Sequence, residues 1–196
     1  MKSPEKRSAQ EEQYLILFLR IKHAQIFGEF DRETLNQFVK RLSVQVYKPG
    51  DILVKRSENC QNMVFIMEGL CDTSDQIFRD ERQTRIDDLE LPDFDPETQQ
   101  QLSGGSSYAS KALQEDYFAP KSLICRDTTF VFLLSKKDFA GVIYQRRMQE
   151  QQQWGEFLAK MPLIQSLPYY LMQDMKALLY QQIYMRDEVV IEAFQP

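Results

Sequence analysis

The stretch Tyr47-Lys48-Pro49-Gly50-Asp51-Ile52-Leu53, followed by Met63-Val64-Phe65-Ile66 and then Gly69, decides the fold. Lys48-Pro49-Gly50-Asp51 is a turn by composition, since Pro fixes φ and Gly takes backbone angles closed to other residues. Val44 and Val46 alternate with polar residues before it and Ile52-Leu53-Val54 follows it, which gives strand, tight turn, strand. Met63-Val64-Phe65-Ile66-Met67 is a continuous apolar run closed by Glu68-Gly69, the pattern of a buried strand that ends in a turn.

Helical spacing lies on either side of this β segment. Tyr14, Leu17, Phe18 and Ile21 fall at i, i+3, i+4 and i+7, and the stripe predicts a first helix from Tyr14, with residues 1–13 a disordered N-terminus. Leu35, Phe38, Val39 and Leu42 make a second stripe behind Asp31, an N-cap residue, with Glu33 in the first turn. Ile26, Phe27 and Phe30 form an apolar elbow between the two. Residues 128–134 read as a closing strand, after which Phe139, Val142 and Ile143, then Trp154, Phe157, Leu158 and Met161, predict one or two helices as far as Pro162. Residues 72–107 are acidic, Gln-rich and Ser/Gly-rich, and they read as a flexible insertion.

Composition excludes several classes of function. A net charge of -5 and a pI near 5.1 do not suit a surface that neutralises phosphate backbones, so no nucleic-acid partner is expected. No apolar stretch approaches the roughly 18 residues of a membrane span, and the expected location is cytoplasmic. Cys60, Cys71 and Cys125 are widely spaced, and His23 is the only histidine, so neither a metal site nor a His-based triad is expected. Nothing has the spacing of GxSxG, HExxH or GxxxxGK[ST], and no catalytic residue is assigned. Trp154 and the aromatic stripes read as packing; Lys136-Lys137 and Arg146-Arg147 read as solvated helix surface.

Residues 163–191 echo residues 26–54 at a nearly constant offset. Leu167, Met172, Met175 and Leu179 correspond to Phe30, Leu35, Phe38 and Leu42, and Ile183-Tyr184 corresponds to Val46-Tyr47. Residues 151–196 therefore read as the helices and first strands of an incomplete second copy, as in a fragment or truncated isoform.

The turn and strands quoted first, together with Ala119-Pro120-Lys121-Ser122 and Lys136-Lys137-Asp138-Phe139, resemble the cyclic nucleotide-binding domain family over residues 14–150. The resemblance implies an α+β fold: an eight-stranded, jelly-roll-like β-roll flanked by N- and C-terminal helices, followed by the start of a second such domain. It also implies a cassette that binds the cyclic phosphate of cAMP or cGMP through backbone N–H groups and an arginine, and the ribose through a glutamate.

Carried onto this chain, the cassette residues are Tyr108, Ala109, Ser110, Leu113, Lys121 and Ser122. Glycine and glutamate are replaced by Ala109 and Ser110, and arginine by Lys121. Alanine does not freely take positive φ, serine is a shorter and weaker acceptor, and lysine lacks the bidentate fork. Losing two charge-assisted hydrogen bonds weakens binding by roughly 10²- to 10⁴-fold. The resemblance thus implies a non-catalytic regulatory or scaffold module with a degenerate cassette and a protein partner it does not identify. The alternative is a cAMP or cGMP sensor that moves the C-terminal helices; no cofactor is required. Analogy within the family also admits a cilium or sperm flagellum as the location.

Overall fold

The computed structural model describes residues 7–78, 85–86, 99–162, 167–168, 170–171 and 174–175. The chain divides into two compact units, residues 1–144 and 145–196. Helix α1 (Ala9–Lys22) begins five residues before the predicted start, because Ser8 and Glu11 close a reciprocal capping box there. Of the residues 1–13 expected to be disordered, 1–6 lie outside the described residues, and Arg7, like the helix that follows it, is placed by specific contacts. The Arg7 guanidinium donates to the carbonyls of Val39 and Leu42 at the end of the next long helix, where the Val39 carbonyl also accepts from the Leu42 N–H at 3.3 Å. The elbow is a single turn, α2 (Ala24–Phe27), and α3 (Arg32–Arg41) starts where Asp31 Oδ1 accepts from the Thr34 N–H at 2.8 Å.

The strands are β1 (Ser43–Tyr47), β2 (Ile52–Val54), β3 (Asn59–Cys60), β4 (Asn62–Glu68), β5 (Leu70–Ser74), β6 (Gln101–Ser103), β7 (Ser107–Tyr108), β8 (Tyr117–Phe118), β9 (Ser122–Cys125) and β10 (Thr129–Ser135). They form two four-stranded antiparallel sheets, ordered β1-β10-β4-β7 and β2-β9-β5-β6. These supply the eight expected strands; the ladder β3-β8 makes ten. Between β1 and β2, Gly50 takes φ +83° while Asp51 Oδ2 accepts from the Lys48 N–H at 2.7 Å, so the Pro-Gly-Asp turn forms as its composition predicts.

Strand β4 explains its own continuous apolar run. Met63 and Phe65 face the helices with Leu15, Leu19, Phe27, Phe38, Phe132 and Leu134, whereas Val64 and Ile66 face Cys71, Leu123, Cys125 and Val131 between the sheets. Alternate side chains enter two different cores, so no position from Met63 to Ile66 is left for a polar residue, and Asn62 and Glu68 stand at the strand's ends. The helical core is aromatic: Phe38 and Phe139 stack at 5.2 Å, with Phe27 edge-on to both.

The limits of the insertion differ from the expected 72–107. Residues 72–74 complete β5, and Gln101–Ser103 and Ser107–Tyr108 are strands, so its two ends are the arms of a β5-β6 hairpin. The polar composition hid these strands because their inward polar groups are satisfied locally. Asp72, 2% exposed, is ion-paired with Arg126 and accepts from Gln101 Nε2 at 3.2 Å. Helix α4 (Lys136–Ala159) is one helix, running through the Gln-rich stretch without a break. Most of the residues compared in the second copy lie outside the described ones.

Candidate functional site

The candidate cassette is built from the end of β7 to the start of β9. Tyr108 is fixed by its pairing with Val64 on β4. Ala109 then turns left-handed, φ +58° and ψ +38°, and opens a 3₁₀ turn, Ser110–Leu113. This corrects the expectation for Ala109: the position keeps the backbone of a glycine although the residue is alanine. The physical reason lies in its side chain, whose methyl is buried with Ala112, Ala119 and Leu123 between the sheets and offsets part of the cost of the left-handed angles. Leu113 points the other way, into the helical core, so the turn is anchored to both cores.

The chain returns through β8 and Ala119-Pro120 to Lys121. The Tyr108 hydroxyl donates to the Lys121 carbonyl at 2.5 Å, which joins the two arms of the cassette. Burial pushes the Tyr108 phenol up to about 12, so it stays a donor across the physiological range. Ser122 is fully buried. Its hydroxyl accepts from the Arg56 N–H at 2.8 Å and donates to the Gln76 carbonyl at 2.9 Å. Both functions of that hydroxyl are therefore used inside the protein.

Lys121 has an acidic partner that the sequence did not indicate. Its Nζ lies 3.6 Å from Asp75 Oδ2, and Arg56 Nη1 lies 3.7 Å from Asp75 Oδ1. Arg56 Nη1 also donates to the Asp75 carbonyl at 2.8 Å. The three side chains are between a third and a little over half exposed, so each ion pair contributes about 0–1 kcal/mol. Tyr108, Ala109, Ser110, Leu113, Lys121 and Ser122 thus lie on one continuous turn, strand end and return arm. Arg56, Asp75 and Gln76 complete the site and were missed, since their approach to Lys121 depends on contacts between distant parts of the chain. Among the described residues no group of His, Cys, Asp and Glu is arranged to hold a metal ion.

No family model matches the chain, and no curated protein matches it in sequence. Solved structures do match. The regulatory domain of Toxoplasma gondii PKA with cAMP is 13% identical, with a TM-score of 0.53, over 87% of this chain and 59% of that one. The regulatory subunit of a cAMP-independent protein kinase A from Trypanosoma cruzi, bound to guanosine, is 13% identical, with a TM-score of 0.52, over 87% and 54%. A cyclic nucleotide-binding-like protein from Brucella abortus is 14% identical, with a TM-score of 0.52, over 67% of this chain and 98% of that one. The chain spans little more than half the length of the two kinase regulatory structures. At such identities the likeness lies in the path of the backbone, and by that path this chain has the fold of a cyclic nucleotide-binding domain.

Proposed function

We propose that the chain is a non-catalytic regulatory or scaffold module that acts through a protein partner, with a cassette degenerate for cyclic nucleotides. One observation carries this reading: the cassette's polar groups are engaged within the protein. Lys121 is ion-paired with Asp75, the Ser122 hydroxyl is bonded on both sides, and Ser110 stands where a carboxylate would hold a ribose. A ligand phosphate would have to displace these contacts, and its ribose would meet a weaker acceptor. Among the described residues no helix is long and apolar enough to cross a membrane. A cytoplasmic location belongs to the same proposal.

A sensor of cAMP or cGMP is the second reading, and the left-handed Ala109 favours it. The turn that would present backbone N–H groups to a phosphate has kept its geometry without its glycine. Calorimetric titration of the purified chain with cAMP and cGMP separates the two. Absence of binding at millimolar nucleotide, with the protein folded by circular dichroism, is the expected result. Micromolar binding that Lys121→Ala abolishes would overturn the degenerate-cassette reading in favour of the sensor.

A further inference from the structure

Asp75 is the first residue beyond β5, and two cations from different parts of the chain converge on it. Arg56 comes from the turn after β2 and Lys121 from the residue before β9. The segment that carries Asp75 is latched in place, because the buried Ser122 hydroxyl donates to the Gln76 carbonyl and the Gln76 N–H donates to Ser74 Oγ at 3.2 Å. The carboxylate itself is held more loosely. Its contacts of 3.6 and 3.7 Å exceed the 2.7–2.9 Å typical of a charge-assisted hydrogen bond. More than half of the Asp75 side chain is exposed. A solvent anion can therefore reach the same two cations, and the carboxylate competes with it at high local concentration.

We propose that Asp75 is the built-in occupant of an anion site formed by Arg56 and Lys121, and that it excludes phosphate-bearing ligands from the cassette while it remains there. The proposal deepens the degenerate-cassette reading and rests on it for the location of the cassette. The convergence of Arg56 and Lys121 on Asp75 stands without that reading. Asparagine at position 75 keeps the shape and removes the charge of the carboxylate that both cations approach.

The test is calorimetric titration with inorganic phosphate and, separately, with cAMP at low ionic strength. It uses the unchanged chain, Asp75→Asn, and the double variants Asp75→Asn/Lys121→Ala and Asp75→Asn/Arg56→Gln, each checked for folding by circular dichroism. Asp75→Asn is expected to bind at least one of the two anions at least tenfold more tightly than the unchanged chain, with the gain lost in both double variants. A gain for phosphate alone identifies a simple anion site; a larger gain for cAMP identifies a masked cyclic nucleotide site. No gain in Asp75→Asn overturns the proposal, as does a gain that survives removal of both cations in turn. Micromolar binding of cAMP by the unchanged chain would remove the degenerate-cassette reading. The role of Asp75 is read separately, from the ratio of affinities between Asp75→Asn and the unchanged chain.

Discussion

The hydroxyl of Tyr108 donates to the backbone carbonyl of Lys121, across a chain separation of 13 residues, and ties the entry of the cassette to its exit. Tyr108→Phe keeps the ring in its half-buried place and removes only this bond. The expected loss is about 1 kcal/mol of stability in denaturant unfolding. Absorbance titration of the phenols should show the two proteins differing near pH 12, where the buried Tyr108 loses its proton, and not near pH 10.

Ala109 allows a sharper comparison. Relief of its left-handed angles would return about 1–2 kcal/mol. A glycine there gives up about 0.8 kcal/mol of buried methyl and about 0.5–1 kcal/mol of unfolded-state freedom. Ala109→Gly should therefore change stability by less than about 1 kcal/mol in either direction. Ala109→Val places a β-branched side chain at φ +58° in a packed core and should cost more than about 2 kcal/mol. Chemical denaturation of both variants checks the contrast, and equal costs would contradict the strained backbone.

At Gly69 the geometry predicts a larger loss. Its φ is +104°, and a Cβ would lie 2.6 Å from Thr129 Oγ1, 2.7 Å from Thr129 Cα and 2.8 Å from the Thr128 carbonyl oxygen. Two of these atoms are backbone and cannot move without opening the join between β4 and β5 and the start of β10. Gly69→Ala should cost about 3 kcal/mol or more, measured as a fall in the denaturation midpoint.

His23 makes stability depend on pH. Its ring lies edge-on between Phe18 and Phe65, at 5.0 and 4.9 Å, and Nε2 has no hydrogen-bond partner among the described residues. Burial, reinforced by the charge of Lys22, lowers its pKa. The unfolded chain then takes up a proton near the usual pKa of about 6.5, before the folded one does. The contribution is present above that pH and is lost as pH falls through the lowered folded value. Unfolding from pH 7.5 to 5 should show this decline, and His23→Phe should flatten it.

The part of the fold legible in the sequence is the part governed by local rules. Pro49-Gly50-Asp51 and Glu68-Gly69 turn as their residues require, and the Leu35-Phe38-Val39 stripe enters the core as its spacing predicts. Strand β5 was illegible because Leu-Cys-Asp-Thr-Ser has the composition of a loop, and Asp72 becomes a strand residue only when Arg126 arrives from β9's far end. For the candidate cassette, the sequence indicated which residues to follow and not the contacts they make. Ala109 takes an angle that local propensity disfavours, and the ion pair of Lys121 with Asp75 depends on how β5 and β9 pair, through Ser74 opposite Ser122.

The β5-β6 hairpin has a consequence for how the chain can grow. Asp72 lies opposite Gln101, and the Thr73 N–H donates to the Gln100 carbonyl at 2.9 Å, so the insertion leaves and re-enters the sheet at neighbouring points. The register is set before the insertion begins, and each doubling of the intervening length costs only about 0.6 kcal/mol of closure entropy. Phe78 and Ile86 are the exception, since they cover Ile52 and Ile124 on the outside of the second sheet. Provided those two seats stay filled, the hairpin can accept a foreign domain, which makes it the natural splice point for a reporter whose signal follows the cassette.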